Sequence, residues 1–168
     1  ISPEIFSIWM KLLSKTNNSV LWLLENNPQS KRNLYQEAHK RGIAENRIIF
    51  AKKIPSNQHL ARIKNADIFL DTFPYNGHTT VSDALWAGLP VLTIKGNSFA
   101  SRVASSLLQS IELDELVTKN FKEYEDLALK LAKEPKKLQK IKNKLEKNKK
   151  TKSLFKPNIF CKNLETAF

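Results

Sequence analysis

The residues with the clearest chemical potential are His78, Thr79 and Thr80, which Asp83 follows three residues later. The threonines supply hydroxyl donors, and the imidazole of His78 can donate a hydrogen bond or carry a positive charge. Thr80 and Asp83 match the Thr-x-x-acid capping pattern of a helix start, where free amide hydrogens and the helix dipole attract anions. The pattern predicts a phosphate site. The alternative is that the threonines merely cap a helix while His78 lies in a solvated turn.

A strand must lead into this helix start to place it at a ligand-binding edge. The apolar run Ile68–Leu70 predicts that strand, and it ends at Asp71 and Thr72, whose side chains we expect to face water or a ligand. Gly77 interrupts regular pairing in the loop that follows, and the helix is expected to end at Gly88. The residues expected to face the sheet from this helix are Ala84, Leu85 and Trp86.

A second candidate group, His59 and Arg62, follows the preceding predicted strand. That strand, Arg47–Phe50, continues into the loop Ala51–Pro55 and a short helix that Ser56–Asn57 can cap, with His59 and Arg62 on one face. Taken alone, the two side chains could be an ordinary exposed pair. Because ligands bind beyond the carboxyl ends of parallel strands, we expect this loop and the His78 loop to open on the same edge.

Strands and helices alternate along the rest of the chain at the lengths of βαβ units. Further strands are predicted at Val20–Leu24, whose continuous apolar run predicts burial on both faces, and at Val91–Ile94. Further helix starts are predicted at Ser2-Pro3, Ser30, Asn120 with Glu123, Pro135 and Pro157. We therefore predict one α/β domain over residues 1–168, a Rossmann-like parallel sheet with helices on both faces and with residues 119–168 as C-terminal helices. With only four glycines, the chain has no G-x-G-x-x-G and no Walker loop.

The net charge of +12 raises nucleic acid as a partner, but most of the excess is confined to late helices. The segment Lys119–Lys152 holds 13 lysines and no arginine, and arginine is the residue that reads bases bidentately. We therefore favour a solvated lysine-rich face and expect no nucleic-acid partner. The alternative is a non-catalytic basic α/β module that binds nucleic acid through this segment.

The remaining composition excludes several other classes. A single cysteine, Cys161, rules out an internal disulfide, and the three histidines have no metal-ligand spacing. We expect no metal and a reducing, cytoplasmic location. No apolar run is long enough to span a membrane, so we expect no membrane partner. The chain starts at Ile1 without methionine, which favours a fragment of a longer protein.

Seven short motifs follow one another between residues 19 and 103: SVLWLL (19–24), NRIIF (46–50), HLAR (59–62), ADIFLDT (66–72), NGHTT (76–80), SDALWAG (82–88) and FASRV (99–103). In this order they resemble the O-GlcNAc transferase and SPINDLY-like family and its bacterial relatives. These are two-lobed, inverting GT-B glycosyltransferases. The resemblance implies that the chain is the second, nucleotide-binding lobe of an enzyme that transfers GlcNAc from UDP-GlcNAc to Ser/Thr of proteins.

The same resemblance implies a role for each candidate residue. His59 would stack on the uracil with Arg62 beside it, and the backbone at Ile54 would pair with the base. Asp83 would accept hydrogen bonds from the ribose, and His78–Thr80 would hold the diphosphate. Because these hydrogen-bond donors would hold the diphosphate, the resemblance implies no cofactor and no metal. The UDP-sugar would be the donor substrate.

Two positions depart from the family pattern. Ser56 stands where the animal enzyme has a lysine near the ribose, and Ala61 replaces the first arginine of a pair.

The resemblance implies that other functional parts lie outside this chain. It places a phosphate-contacting lysine just before Ile1, and it places the first lobe, with any catalytic base, outside this chain as well. We therefore expect no catalytic residue here and no activity from the chain alone. The expected partners are the N-terminal lobe, tetratricopeptide repeats and acceptor proteins, and a GDP-fucose-using SPINDLY-type enzyme is the alternative.

Overall fold

The computed structural model describes all 168 residues, which form eight α-helices and five short strands. The strands are β1 (Leu21–Leu24), β2 (Ile48–Ala51), β3 (Phe69–Leu70), β4 (Val91–Ile94) and β5 (Val117–Thr118). The helices are α1 (Pro3–Lys15), α2 (Pro28–Lys40), α3 (Ser56–Ile63), α4 (Thr79–Trp86), α5 (Val103–Ser110), α6 (Phe121–Lys133), α7 (Pro135–Thr151) and α8 (Pro157–Ala167). Short 3-10 helices lie at Glu45–Arg47, Phe99–Ser101, Asp114–Leu116 and Ser153–Phe155.

Every strand pair is parallel, so the predicted α/β fold is confirmed. The strands form two hydrogen-bonded groups, β1-β2 and β3-β4-β5, rather than one continuous ladder. Leu21 lies opposite Ile48 in the first group, and Phe69 lies opposite Val91 in the second. No backbone ladder joins the two groups, but one apolar side-chain cluster contains residues from both.

Helices cover both faces of the strands, and β4 is buried along its whole length. On one face, α1 and α6 pack over a cluster that includes Leu21, Ile48, Leu92 and Ile94, so this cluster spans both strand groups. On the other face, α4, α5 and α7 pack over a second cluster that includes Val91. The apolar faces of the helices, which follow the 3.6-residue period, therefore hold the carboxyl ends of β2 and β3 in fixed positions.

Two burial predictions for apolar residues are wrong. The flanks of β1 are open, because Val20 is 52% exposed and Leu24 is 58% exposed, so this strand is not covered on both faces. Trp86 is 54% exposed and does not face the sheet. Its ring instead meets Phe155 edge-on at 5.2 Å and lies below the Lys149 ammonium at 5.9 Å. The buried residues of α4 are Val81, Ala84 and Leu85, so Trp86 lies off the helix face that packs against the strands.

The helix starts follow the predicted residues in most cases. Ser2 caps α1, Asn120 caps α6, and prolines begin α7 and α8. The predicted cap at Ser30 is wrong, because Asn27 accepts a hydrogen bond from the Ser30 amide at 2.8 Å and α2 begins at Pro28. The predicted cap at Ser56–Asn57 is also wrong, because Pro55 occupies the N-cap of α3 without a side-chain bond.

The lysine-rich late helices are partly neutralised within the chain. Four lysines of α7 and its end form ion pairs with acidic side chains, at Lys142–Asp67, Lys144–Glu115, Lys149–Glu146 and Lys152–Glu112. These pairs favour the interpretation of a solvated basic face. None of the helices has the length and apolar character that a bilayer crossing requires.

Candidate functional site

The predicted anion site lies at the start of α4, directly after the loop that leaves β3. His78 occupies the N-cap position, Thr79 begins the helix, and no side chain caps its first turn. The predicted Thr80–Asp83 capping box is therefore wrong, because Thr80 is already the second residue of the helix. The amides of Thr79 and Thr80 have no hydrogen-bond acceptor within the protein, and both residues are exposed. Free amide donors at a helix start are the arrangement that binds phosphate groups.

A buried carboxylate holds the loop that presents this helix start. Asp71, which follows β3, is only 1% exposed and does not face water or a ligand as the sequence suggested. Its Oδ1 accepts from the amides of Thr72 at 2.9 Å and Gly77 at 2.7 Å, and its Oδ2 accepts from the Thr93 hydroxyl at 2.6 Å. Burial raises the pKa of Asp71 from 3.8 to about 6, although these hydrogen bonds lower it. Asp71 therefore ties β3, β4 and the entry to α4 together.

Sequence reasoning missed this role for Asp71 because its partner Thr93 lies 22 residues away on β4. The only local signal is a carboxylate placed between an apolar strand and a loop, and that signal fits a ligand site equally well. A second buried polar residue, Asn76, reinforces the loop by donating from Nδ2 to the carbonyl of Thr72 at 3.0 Å. The backbone amide of Asn76 also donates to the carbonyl of Ala100 at 2.9 Å. This bond joins the loop after β3 to the loop after β4.

Gly77 is required where the loop approaches α4 most closely. A Cβ atom at this position would lie 2.6 Å from Thr80 Oγ1 and 2.9 Å from Val81 Cγ2. Any larger residue would displace Thr80 or break the bond between the Gly77 amide and Asp71. The position of the Thr80 hydroxyl therefore depends on a glycine three residues earlier.

His59 and Arg62 contact each other, as their spacing predicts. Arg62 Nη2 donates to His59 Nδ1 at 3.0 Å, which leaves the proton of a neutral His59 on Nε2. Arg62 Nη1 also donates to the carbonyl of Lys52 at 2.9 Å, in the loop after β2, and its guanidinium lies 5.2 Å from the centre of the Trp22 ring. The arginine is thus fixed by three neighbours and orients the imidazole of His59.

The structure gathers the candidate residues into two groups on neighbouring helices. His78, Thr79, Thr80 and Asp83 share the first turns of α4, where the half-buried Asp83 carboxylate makes no hydrogen bond within the protein. His59 and Arg62 lie on α3, and the half-buried Ile54 lies just before that helix. Helices α3 and α4 pack against each other, but no direct bond joins the two groups. No cluster of three or more His, Cys, Asp or Glu side chains suited to a metal ion is present.

Parallel strands, helices on both faces and an uncapped helix start beyond a strand end define a Rossmann-like α/β domain. Comparison with known sequences gives the family. The profile of glycosyl transferase family 41 matches residues 1–164, and the chain belongs to this family. The family resemblance predicted from the sequence motifs is confirmed.

Individual relatives agree with this assignment. The chain is 34% identical over 165 residues to a UDP-N-acetylglucosamine--peptide N-acetylglucosaminyltransferase of Caenorhabditis elegans, covering 98% of this chain and 14% of the relative. It is 35% identical over 169 residues to the probable enzyme SEC of Arabidopsis thaliana, covering 100% of this chain and 17% of that relative.

A solved structure gives the same fold. An O-GlcNAc transferase mutant of Thermobaculum terrenum superposes with a TM-score of 0.92 at 32% identity, covering 99% of this chain and 33% of that one. The chain therefore spans a third of that structure and less than a fifth of the two sequence relatives.

Proposed function

We propose that this chain is the nucleotide-sugar-binding lobe of a protein O-glycosyltransferase that transfers GlcNAc from UDP-GlcNAc to serine or threonine of proteins. Membership of glycosyl transferase family 41 supports the reaction class. The observation that carries the proposal is the start of α4, where the free amides of Thr79 and Thr80 lie beyond a parallel strand with the helix dipole behind them. The proposed ligand of these amides is the diphosphate of UDP.

In this proposal the two side-chain groups bind the two ends of the nucleotide. His59 stacks on the uracil, the backbone at Ile54 pairs with its edge, and Arg62 keeps the imidazole oriented through its bond to Nδ1. Asp83 accepts from the ribose hydroxyls, which suits a half-buried carboxylate without a protein donor. The packing of α3 on α4 supports a single nucleotide that contacts both helices.

The proposed chemical contribution of this lobe is stabilisation of the leaving group. As the bond between the sugar and UDP breaks, negative charge grows on the β-phosphate. This charge is stabilised by hydrogen-bond donors that are already in place: the amide hydrogens, the threonine hydroxyls and the His78 imidazole. They stabilise the charge that develops more than they stabilise the bound UDP-sugar. No group in this chain is assigned as the catalytic base, and we propose that the base, the acceptor site and most of the sugar contacts belong to the rest of the longer enzyme.

The proposed context is a cytoplasmic enzyme in which an N-terminal lobe and tetratricopeptide repeats accompany this chain. GDP-fucose is the alternative donor, which the resemblance of the sequence motifs to SPINDLY-type enzymes implies. Competition between UDP-GlcNAc and GDP-fucose for the full-length protein separates the two donors.

Metal independence is a testable part of the proposal. If donors at the start of α4 balance the diphosphate charge, UDP affinity should change by less than about twofold when EDTA replaces Mg²⁺ in the buffer. Isothermal titration calorimetry with both buffers measures this. A loss of binding in EDTA that Mg²⁺ restores would show that a metal ion carries the phosphate.

The decisive test of the nucleotide-binding function compares UDP with DNA. We expect saturable UDP binding that changes little between 50 and 200 mM salt, because the contacts are few and local, whereas any DNA binding through Lys119–Lys152 should fall by about 10³-fold or more, as counterion release requires. Calorimetry for UDP and fluorescence anisotropy for a labelled duplex measure both. Tight DNA binding with no UDP binding would replace the transferase proposal with the nucleic-acid module.

A further inference from the structure

Two large aromatic side chains bracket the imidazole of His78 although both are exposed to solvent. Tyr75 is 64% exposed, and its ring stacks on the imidazole with the ring centres 5.0 Å apart and the planes 14° from parallel. Phe99 is 75% exposed, and its ring meets the same imidazole edge-on at 6.0 Å and 88°. Neither ring belongs to the two core clusters. Their shared contact is therefore His78.

The backbones that carry the two rings are fixed independently of the rings themselves. The carbonyl of Tyr75 accepts from the Thr72 hydroxyl at 2.6 Å. Phe99 begins a 3-10 turn that Ser98 and Ser101 close with a reciprocal capping box. The bond between the Asn76 amide and the Ala100 carbonyl joins the two loops. Both rings are therefore presented from anchored positions rather than from freely moving loops.

The imidazole of His78 has no hydrogen bond of its own that could fix its orientation. Its Nε2 is buried without a partner, and the side chain does not cap α4. Stacking and edge contacts with Tyr75 and Phe99 are the contacts that can set the plane of the ring, because aromatic pairs prefer these two geometries.

We infer that Tyr75 and Phe99 are positioning residues, which hold the imidazole of His78 in the orientation that contacts the diphosphate. This inference rests on the proposed function, because it specifies how one of the proposed phosphate donors is preorganised. A ring that is already oriented loses less conformational entropy when the ligand binds, so the nucleotide binds more tightly. Tyr75 acts through His78 in this account and touches no reacting atom.

The test is a double-mutant cycle on UDP affinity, measured by calorimetry with the natural full-length protein that contains this chain. Tyr75→Leu should raise the Kd for UDP by about threefold to tenfold, which is the range that a lost aromatic pair produces. Tyr75→Phe should restore the wild-type Kd, because it keeps the stacked ring. In a His78→Ala background, Tyr75→Leu should have no further effect.

Phe160→Leu is the matched control, because Phe160 is also 64% exposed but lies on α8. Thermal unfolding should be the same for the Tyr75 and Phe160 variants as for the wild type, since both positions are exposed. Equal weakening by Tyr75→Leu with and without His78 would overturn the inference, as would a Tyr75→Leu variant that binds UDP as tightly as the wild type. These results would contradict the inference about Tyr75 and Phe99 but not the proposed function. A wild-type protein that does not bind UDP would contradict both the inference and the proposed function.

Discussion

Replacing His78 with alanine and Thr80 with valine together should weaken UDP binding at least about a hundredfold, because each lost hydrogen bond to a charged phosphate is worth about 1.5–3 kcal/mol. Valine keeps the shape of Thr80 and the helix amide but removes the hydroxyl. Neither side chain caps α4, and Thr80 is exposed, so the fold should remain intact. Isothermal titration calorimetry measures the affinity, and urea unfolding checks the fold.

The matched control is His39→Ala combined with Thr166→Val. His39 and Thr166 are exposed helical residues on α2 and α8, so the control makes the same chemical changes away from α4. We expect wild-type UDP affinity from it. If the site variant and the control bind UDP equally well, the diphosphate does not rest on the start of α4, and the proposed position of the nucleotide is wrong.

The start of α4 could be found from the sequence because its signals are local. An apolar run, a turn with Gly77 and a pair of threonines before an apolar helix face lie within 20 residues, and each is read without knowing the rest of the fold. The contact between His59 and Arg62 could be predicted for the same reason, since residues three apart on a helix are neighbours.

Helix caps were predicted less well, since several neighbouring residues can serve as a cap. Ser30 and Asn27 are both good caps by type, and the chain uses Asn27 because Pro28 at the first helical position fixes where α2 begins. At α4 the cap position falls on His78, so Thr80 lies inside the helix and does not cap it. Because no side chain caps this helix, the amides of Thr79 and Thr80 have no acceptor within the protein.

The burial of Asp71, Val20, Leu24 and Trp86 could not be predicted because it depends on tertiary neighbours. An apolar run does not reveal whether its strand lies in the centre or at the edge of a sheet. Similarly, a carboxylate at a strand end does not reveal whether donors on a neighbouring strand will enclose it. Thr93, the donor that encloses Asp71, sits on the strand beside it in space.

Asp71 should make the stability of the fold depend on pH in a direction opposite to that of most carboxylates. Its pKa rises from 3.8 to about 6 on folding because the carboxylate is buried. The folded state therefore binds a proton more readily than the unfolded chain between these two values. Its stabilising contribution is complete below about pH 3.8 and is lost as the pH rises through about 6, which amounts to about 3 kcal/mol.

The substitution Asp71→Asn isolates this effect, because the amide keeps the size and an oxygen acceptor but does not titrate. Relative to the wild type, the asparagine variant should gain about 2.4 kcal/mol of unfolding free energy as the pH increases from 4 to 7. Urea denaturation at several pH values measures the difference, and subtracting the two proteins removes the contribution of all other carboxylates. Asp114→Asn, at an exposed position, is the matched control.

The carboxylate of Asp71 also holds the loop that leads into α4. Oδ1 of Asp71 accepts from Gly77, one residue before His78, so its charge fixes the loop that leads into α4. A constant stability difference between wild type and Asp71→Asn across this pH range would contradict the raised pKa. A pH-dependent difference would show that the protein keeps a buried charge at neutral pH that lowers its unfolding free energy. The group that this charge holds in place is the Gly77 amide beside the start of α4.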